Sequence, residues 1–418
     1  MTARRIVNNK YKNMLLFIAW LAYFAGYVSR LNYGAVMAEI IAAEHVSKGA
    51  AGLISTGAFT VYAIGQIVSG VLGDQYSPRR IVFFGLLLTG LCNLAMPFCS
   101  TPSGWLPIWC LNGFAQAMLW PPMLRIFAES YTKEALPKMC VRVSTSTTVG
   151  TIAVYVLAPF CITFAGWRMI FYVSSSLAFL VAVVWIVCAS AAEQHRIAYG
   201  EMEIVSEKKE EKSVKVSFRS IVQTGVGLMA VGVIMHGFLR DSITTWMPTF
   251  MMENYEIGSA VAILSTVILP IFNTASLYFA SFLNNRWIRN EAKTATILFA
   301  SGFVAMIFMF LSAGSSAGVS LLCAAVITSA MYGVNLMLVT AVPTHFASDG
   351  KASTITGILN AFTYLGSAIS IYGIGKVSEQ GWQGTLWIWI FCAGFGTCFL
   401  LLSIKKWTAF MQAHKTAK

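Results

Sequence analysis

Charge is what this chain has least of. Only 11% of its 418 residues are Asp, Glu, Lys or Arg, where a soluble domain carries about 25%. That scarcity excludes an ordinary water-soluble domain, and the 57% of hydrophobic residues fills its place. Paired cysteines are lacking too. The nine cysteines are scattered, mostly in apolar runs, as at Cys92, Cys110, Cys188 and Cys323. With no CxxC or Cys/His cluster, they read as small buried hydrophobes and not as disulfides or metal ligands. No Ser/His/Asp set, nucleotide loop or HExxH is present, so neither an enzyme nor a cofactor is expected. No short apolar segment with a small-residue cleavage site precedes the first long run, so no removable signal peptide is expected.

What the chain has is apolar runs long enough to cross a bilayer. Twelve are predicted, at roughly 14–37, 50–73, 81–99, 105–127, 144–164, 168–190, 221–251, 258–283, 293–312, 316–342, 353–374 and 384–404. Between the sixth and seventh lies the only long charged segment, with Glu207-Lys-Lys-Glu-Glu-Lys212 at its centre. It reads as a solvated tether between two halves. The expected organisation is a six-helix bundle over 1–190, a linker over 191–218 and a second bundle over 219–418. The charges set the orientation. Of 29 Lys and Arg, the outward loops of an even-span topology hold only Lys48, Arg168 and Lys376, and Arg30, Arg125 and Arg240 lie within spans. The rest fall on the side of the termini, so both termini are expected in the cytoplasm of a cell or inner membrane. The net charge of +12 therefore reports topology, and no nucleic-acid partner is expected.

Two arginines break the apolar pattern. Arg30 lies about two helical turns from either end of the first run, and an arginine cannot lose its proton to escape desolvation. A charge that deep is costly and marks a functional, water-lined position. Arg240 repeats the feature in the first span of the second half. Tyr23, Tyr27, Arg30 and Gly34 share one helix face, and His236, Arg240 and Thr244 recur at i, i+4 and i+8. Guanidinium groups grip phosphate through paired charge-assisted hydrogen bonds, and two of them offset a phosphate dianion.

The second connection reads Gly70-Val-Leu-Gly-Asp74-Gln-Tyr-Ser-Pro-Arg79-Arg80. It resembles the cytoplasmic loop signature of the major facilitator superfamily. Asp74, Arg79 and Arg80 would form a latch there, with Arg125 in the same structural network. The equivalent stretch after span eight, Asn284-Asn-Arg286-Trp-Ile-Arg289, lacks the acid. Tyr23 to Tyr33, Gly113 to Arg125 with Trp120-Pro-Pro, Trp246-Met-Pro248, Tyr332-Gly333 and Tyr364-Leu-Gly366 narrow the resemblance to the organophosphate:phosphate antiporter family. It spans nearly the whole chain apart from tails and linker.

The resemblance implies an all-α membrane protein of twelve transmembrane helices, in two six-helix pseudo-symmetric bundles with a site at mid-depth between them. It implies exchange of a sugar or glycerol phosphate for inorganic phosphate by alternating access. Arg30 and Arg240 match the family's phosphate-holding arginines. Tyr23, Tyr27, Trp120, Tyr332 and Tyr364 match aromatic positions around its cavity. Gln66 and Thr147 stand where the glycerol-phosphate exchangers carry a lysine and a histidine. His236, one turn before Arg240, is the candidate replacement for that histidine. A proton-coupled symporter, with Asp241 as its carboxylate, and a transporter-like sensor of a sugar phosphate are the alternatives. The expected partners are a small phosphorylated anion, inorganic phosphate and the bilayer, with the chain a monomer.

Overall fold

The architecture was obtained as a computed structural model that describes residues 2–6, 8–132, 135–199, 201–204, 224–346 and 352–416. Among them the chain is almost wholly helical. The first six spans are Asn9–Glu44, Lys48–Gln75, Pro78–Ala95, the pair Pro102–Ala117 and Trp120–Ser130, Leu136–Ala165 and Met169–Tyr199. The next six begin with Val226–Tyr255, followed by the pair Ser259–Ser265 and Ile268–Phe282 and then Glu291–Ser312. Ala317–Asn335, Ala352–Ser378 and Trp382–Thr416 complete them.

Eleven of these stretches are long and apolar enough to cross a membrane, the eighth when its two helices are taken together over Ser259–Ile288. The twelfth expected span, the fourth, is two shorter helices. Its break has a local cause. Pro121 and Pro122 have no N–H to offer the carbonyls four residues earlier. The chain tightens instead, with Met118 N–H bonded to Ala115 O and Leu119 N–H to Gln116 O. A new helix then starts at Trp120, its prolines in the first turn where a missing N–H costs nothing.

Two short strands, β1 (Thr2–Arg5) and β2 (Glu201–Ile204), pair antiparallel, Thr2 opposite Ile204 and Arg5 opposite Glu201. The sequence reading had only a tail and a linker there. Ile6 anchors the tail: it is buried and its N–H bonds to Ser130 O at 3.1 Å. The sixth helix also runs on to Tyr199, past the expected linker start at 191. Ala192 is buried in it, and Glu193 pairs with Arg79. The charged run Glu207 to Lys212 lies outside the described residues.

The chain divides into two compact units, Met1–Val46 with Gly57–Lys209, and Ser47–Thr56 with Glu210–Lys418. In the first, the core packs Leu15, Ile18, Ala22 and Ala25 of the first span against Leu86, Met123, Phe127, Val181 and Trp185. In the second, Trp246, Phe250, Phe299, Trp389 and Trp407 are fully buried. Around both, large apolar side chains such as Phe84, Phe164, Leu180, Phe308 and Phe391 stand exposed. That outward apolar surface suits lipid.

Candidate functional site

In the first unit, the rotation of the first span is fixed by buried polar groups. Asn32 donates to Asn93 Oδ1 at 2.7 Å and to Ser174 Oγ at 2.9 Å. The Ser29 carbonyl accepts from the amides of both Asn93 and Asn112, each at 3.1 Å. Buried amides that share partners in this way favour one arrangement, although Asn112 Oδ1 has no partner among the described residues. With Ser29 and Asn32 held inward, Tyr23, Tyr27 and Arg30 take another side of the helix. There the Arg30 guanidinium lies over the Tyr27 ring at 4.4 Å and over the Tyr62 ring at 5.0 Å. Tyr23 links this group to the fourth span, its ring 5.3 Å from Tyr27 and 5.0 Å from Trp120. Aromatic faces attract a desolvated guanidinium. Tyr62 was missed in the sequence. A single tyrosine in an apolar run carries no signal, although Gln66, singled out there, is one turn away. Gln66 Nε2 is buried without a partner among the described residues. Thr147 is committed to its own helix, its hydroxyl donating to Ser144 O at 2.8 Å.

In the second unit, the seventh and eleventh spans cross at glycines. A Cβ on Gly237 would collide with the Thr363 carbonyl, and one on Gly366 with the Ile234 carbonyl. Only glycine permits that approach. One turn beyond Gly237, Arg240 Nε donates to Asp241 Oδ1 at 2.7 Å and Arg240 Nη2 to Asp241 Oδ2 at 2.8 Å. The Ser367 hydroxyl, on the eleventh span, also donates to Asp241 Oδ2. Arg240 lies 5.6 Å from the centre of the Tyr332 ring, and Tyr364 is within its electrostatic reach. His236 is fully buried in the same helix. Its Nδ1 is 3.3 Å from Val233 O, and its Nε2 has no partner among the described residues.

At the end of the first unit that carries the loop signature, the arginines are tied to acids that the sequence reading had not named. Arg79 pairs with Glu193. Arg125 donates to Glu129 Oε1 at 2.9 Å and to the Gly73 carbonyl, and Arg196 joins Glu129 at 3.1 Å. Glu129, one turn after Arg125, was legible as an i, i+4 partner; Glu193 was hidden in the expected linker. Arg80 is exposed. The Asp74 side chain lies outside the described ones.

Residues 19–371 match the Major Facilitator Superfamily. A probable hexose phosphate transport protein of Chlamydia pneumoniae is 26% identical over 97% of this chain and 94% of that protein. The membrane sensor protein UhpC of Escherichia coli K12 is 20% identical over 94% of this chain and 92% of its own. Among solved structures, a bacterial homologue of the human lysosomal transporter Spinster superposes with a TM-score of 0.75. The match covers 97% and 98% of the two chains at 14% identity. The chain thus belongs to the Major Facilitator Superfamily and is a multi-pass transporter of that twelve-span fold, not an enzyme.

Proposed function

We propose that this protein exchanges a phosphorylated small molecule, a sugar or glycerol phosphate, for inorganic phosphate by alternating access in the inner membrane, with both termini cytoplasmic. The observation that carries the reading is that each unit sets one partly buried arginine of its first span against tyrosine rings: Arg30 with Tyr27 and Tyr62, Arg240 with Tyr332. The name of the chlamydial relative, a hexose phosphate transport protein, supports the same substrate class. Arg30 and Arg240 supply the phosphate grip. Tyr23, Tyr27, Trp120, Tyr332 and Tyr364 line it, and His236 donates to a phosphate oxygen. Asp74, Arg79, Arg80 and Arg125 serve the conformational latch.

Asp241 then has a definite part. It satisfies two donors of the Arg240 fork, so it acts as the arginine's resident counter-ion when no substrate is bound. A phosphate competes with it. The pair also gives the proton-coupled alternative its one specific support, since Asp241 is a carboxylate in direct contact with the proposed substrate arginine.

The test is uptake of labelled phosphate into proteoliposomes loaded with unlabelled phosphate, then chased with hexose and glycerol phosphates. Exchange expects uptake that needs internal phosphate and is independent of a pH gradient. Uptake driven by a pH gradient into empty vesicles establishes proton coupling instead. Specific binding with no uptake in either condition establishes a sensor.

A further inference from the structure

The degenerate loop copy after the eighth span has no role in the exchange reading, yet its arginines are placed with care. The helix Ile268–Phe282 runs into a wide i→i+5 turn at Leu283–Ile288. Arg289 closes that turn with φ +52, its N–H bonded to Asn284 O at 2.7 Å. Wide turns of this kind are rare and cluster at functional positions. A groove of about 810 Å³ opens on this end of the helix, with Tyr278, Phe282, Asn285, Arg286, Trp287 and Arg289 among its walls.

Two stripes run along the helix toward the groove's end. One is Tyr278, Phe282 and Arg286; the other is Ser281, Asn285 and Arg289. Each passes from the span's apolar body to an arginine at its tip. Tyr278, Phe282 and Trp287 are 75%, 51% and 69% exposed. The Trp287 ring meets Phe282 edge-on at 5.7 Å, at the span end where interfacial tryptophans sit. Both arginines are exposed, and among the described residues neither pairs with a carboxylate. The nearest acid in sequence, Glu291, is committed elsewhere. It accepts from His345 Nε2 at 3.0 Å and Trp407 Nε1 at 3.1 Å.

We infer that this groove is a binding site for the headgroup of an anionic phospholipid, its phosphate held by Arg286 and Arg289 and its acyl chains lying along Tyr278, Phe282 and Trp287. Charge and shape agree on that occupant. Two guanidinium groups at a membrane interface recruit an anionic headgroup. A free phosphate would use the arginines but leave the aromatic wall bare, whereas a lipid covers both. With both side chains exposed and no carboxylate paired to them among the described residues, these arginines are available to an external anion. The site is independent of the exchange site and stands whether or not that reading holds.

The experiment is native mass spectrometry of the full chain in detergent, titrated with phosphatidylglycerol or phosphatidylcholine. Wild type is compared with the Arg286→Gln/Arg289→Gln double variant, both at matched melting temperature in phosphatidylcholine. The expected result is one phosphatidylglycerol fewer retained by the variant, with affinity for that site down about tenfold and phosphatidylcholine binding unchanged. Millimolar inorganic phosphate leaves the wild-type lipid in place. Should the double variant fail to fold, Trp287→Ala, which leaves both arginines, serves in its place and is expected to weaken the same site. Equal phosphatidylglycerol binding by variant and wild type overturns the proposal. So does an equal loss of phosphatidylcholine, or displacement of the lipid by free phosphate.

Discussion

Arg30 and Arg240 occupy corresponding places in the two halves but keep different company. Arg30 rests on the ring faces of Tyr27 and Tyr62. Arg240 is locked edge-on to Asp241 by two short charge-assisted hydrogen bonds, with the Tyr332 ring 5.6 Å away. A ring face stabilises a guanidinium without competing strongly for its in-plane donors. A carboxylate takes those donors directly. The comparison therefore teaches that Arg240 already has a carboxylate on two of its donors, which in the proposed exchange would stand in for the substrate anion, whereas Arg30 packs under two ring faces.

Replacing both arginines tests the shared part of that comparison and should have the largest effect. Arg30→Lys and Arg240→Lys keep the charge but lose the fork. One lost charge-assisted hydrogen bond is worth roughly 1.5–3 kcal/mol, or about ten- to a hundredfold in phosphate affinity, and exchange should fall below detection in both. Arg240→Lys should also lower the melting temperature, because a single ammonium cannot reproduce the two bonds that the Arg240 fork makes to Asp241. Near-normal exchange in both lysine variants would remove the two-arginine grip.

Asp241→Asn tests what is peculiar to the second unit. Removing the resident anion frees the Arg240 fork, so the Kd for inorganic phosphate should fall about tenfold. Exchange should slow, because a site that holds its ligand too well in one state crosses less readily. Calorimetry in detergent beside vesicle exchange checks both halves. An unchanged or raised Kd would show that Asp241 is a structural partner only, and loss of a pH-driven uptake would return it to the proton-coupled reading.

These contrasts show where the sequence was legible. Twelve apolar runs and the positions of Arg30 and Arg240 could be read directly, because membrane length and the cost of a buried charge leave strong marks in one dimension. The break at Pro121 was present as two letters, but its consequence for one helix becoming two depends on carbonyl geometry. Tyr62 could not be found, since its role depends on a neighbouring helix turning the ring toward Arg30. The Arg240–Asp241 pair was in plain view as adjacent letters, and a structural ion pair could be expected there, but the two-point geometry of the contact is visible only in the structure. Glu193 was lost because a charged stretch after a span reads as a tether, whereas here the helix simply continues.

A smaller effect is expected from the rings. Tyr62→Leu removes one of the two faces under Arg30, a contact worth about 0.5–2 kcal/mol, and should weaken phosphate binding several-fold. Tyr332→Leu, at the longer distance and beside an arginine already held by Asp241, should weaken it less. Equal losses in the two variants would mean that the soft and hard holds of the two units are not distinct.

The smallest effect falls to His236, and it separates packing from contact. The side chain is fully buried, its Nδ1 near Val233 O and its Nε2 without a partner among the described residues. A buried polar atom left unsatisfied costs about 1–3 kcal/mol, a cost that a ligand oxygen at this nitrogen would relieve. Arg240 is one turn along the same helix, about 6 Å in axial rise, which puts a phosphate held by Arg240 within reach of a histidine donor. A neutral imidazole can give one hydrogen bond to that anion. Glutamine keeps a donor of similar reach, whereas leucine has none. His236→Gln should therefore cost little in affinity, and His236→Leu a few-fold. Measured with phosphate exchange and Kd side by side, an unchanged affinity in the leucine variant would leave His236 as a packed helix-interface residue, and the phosphate grip of the second unit would rest on Arg240 and its tyrosines alone.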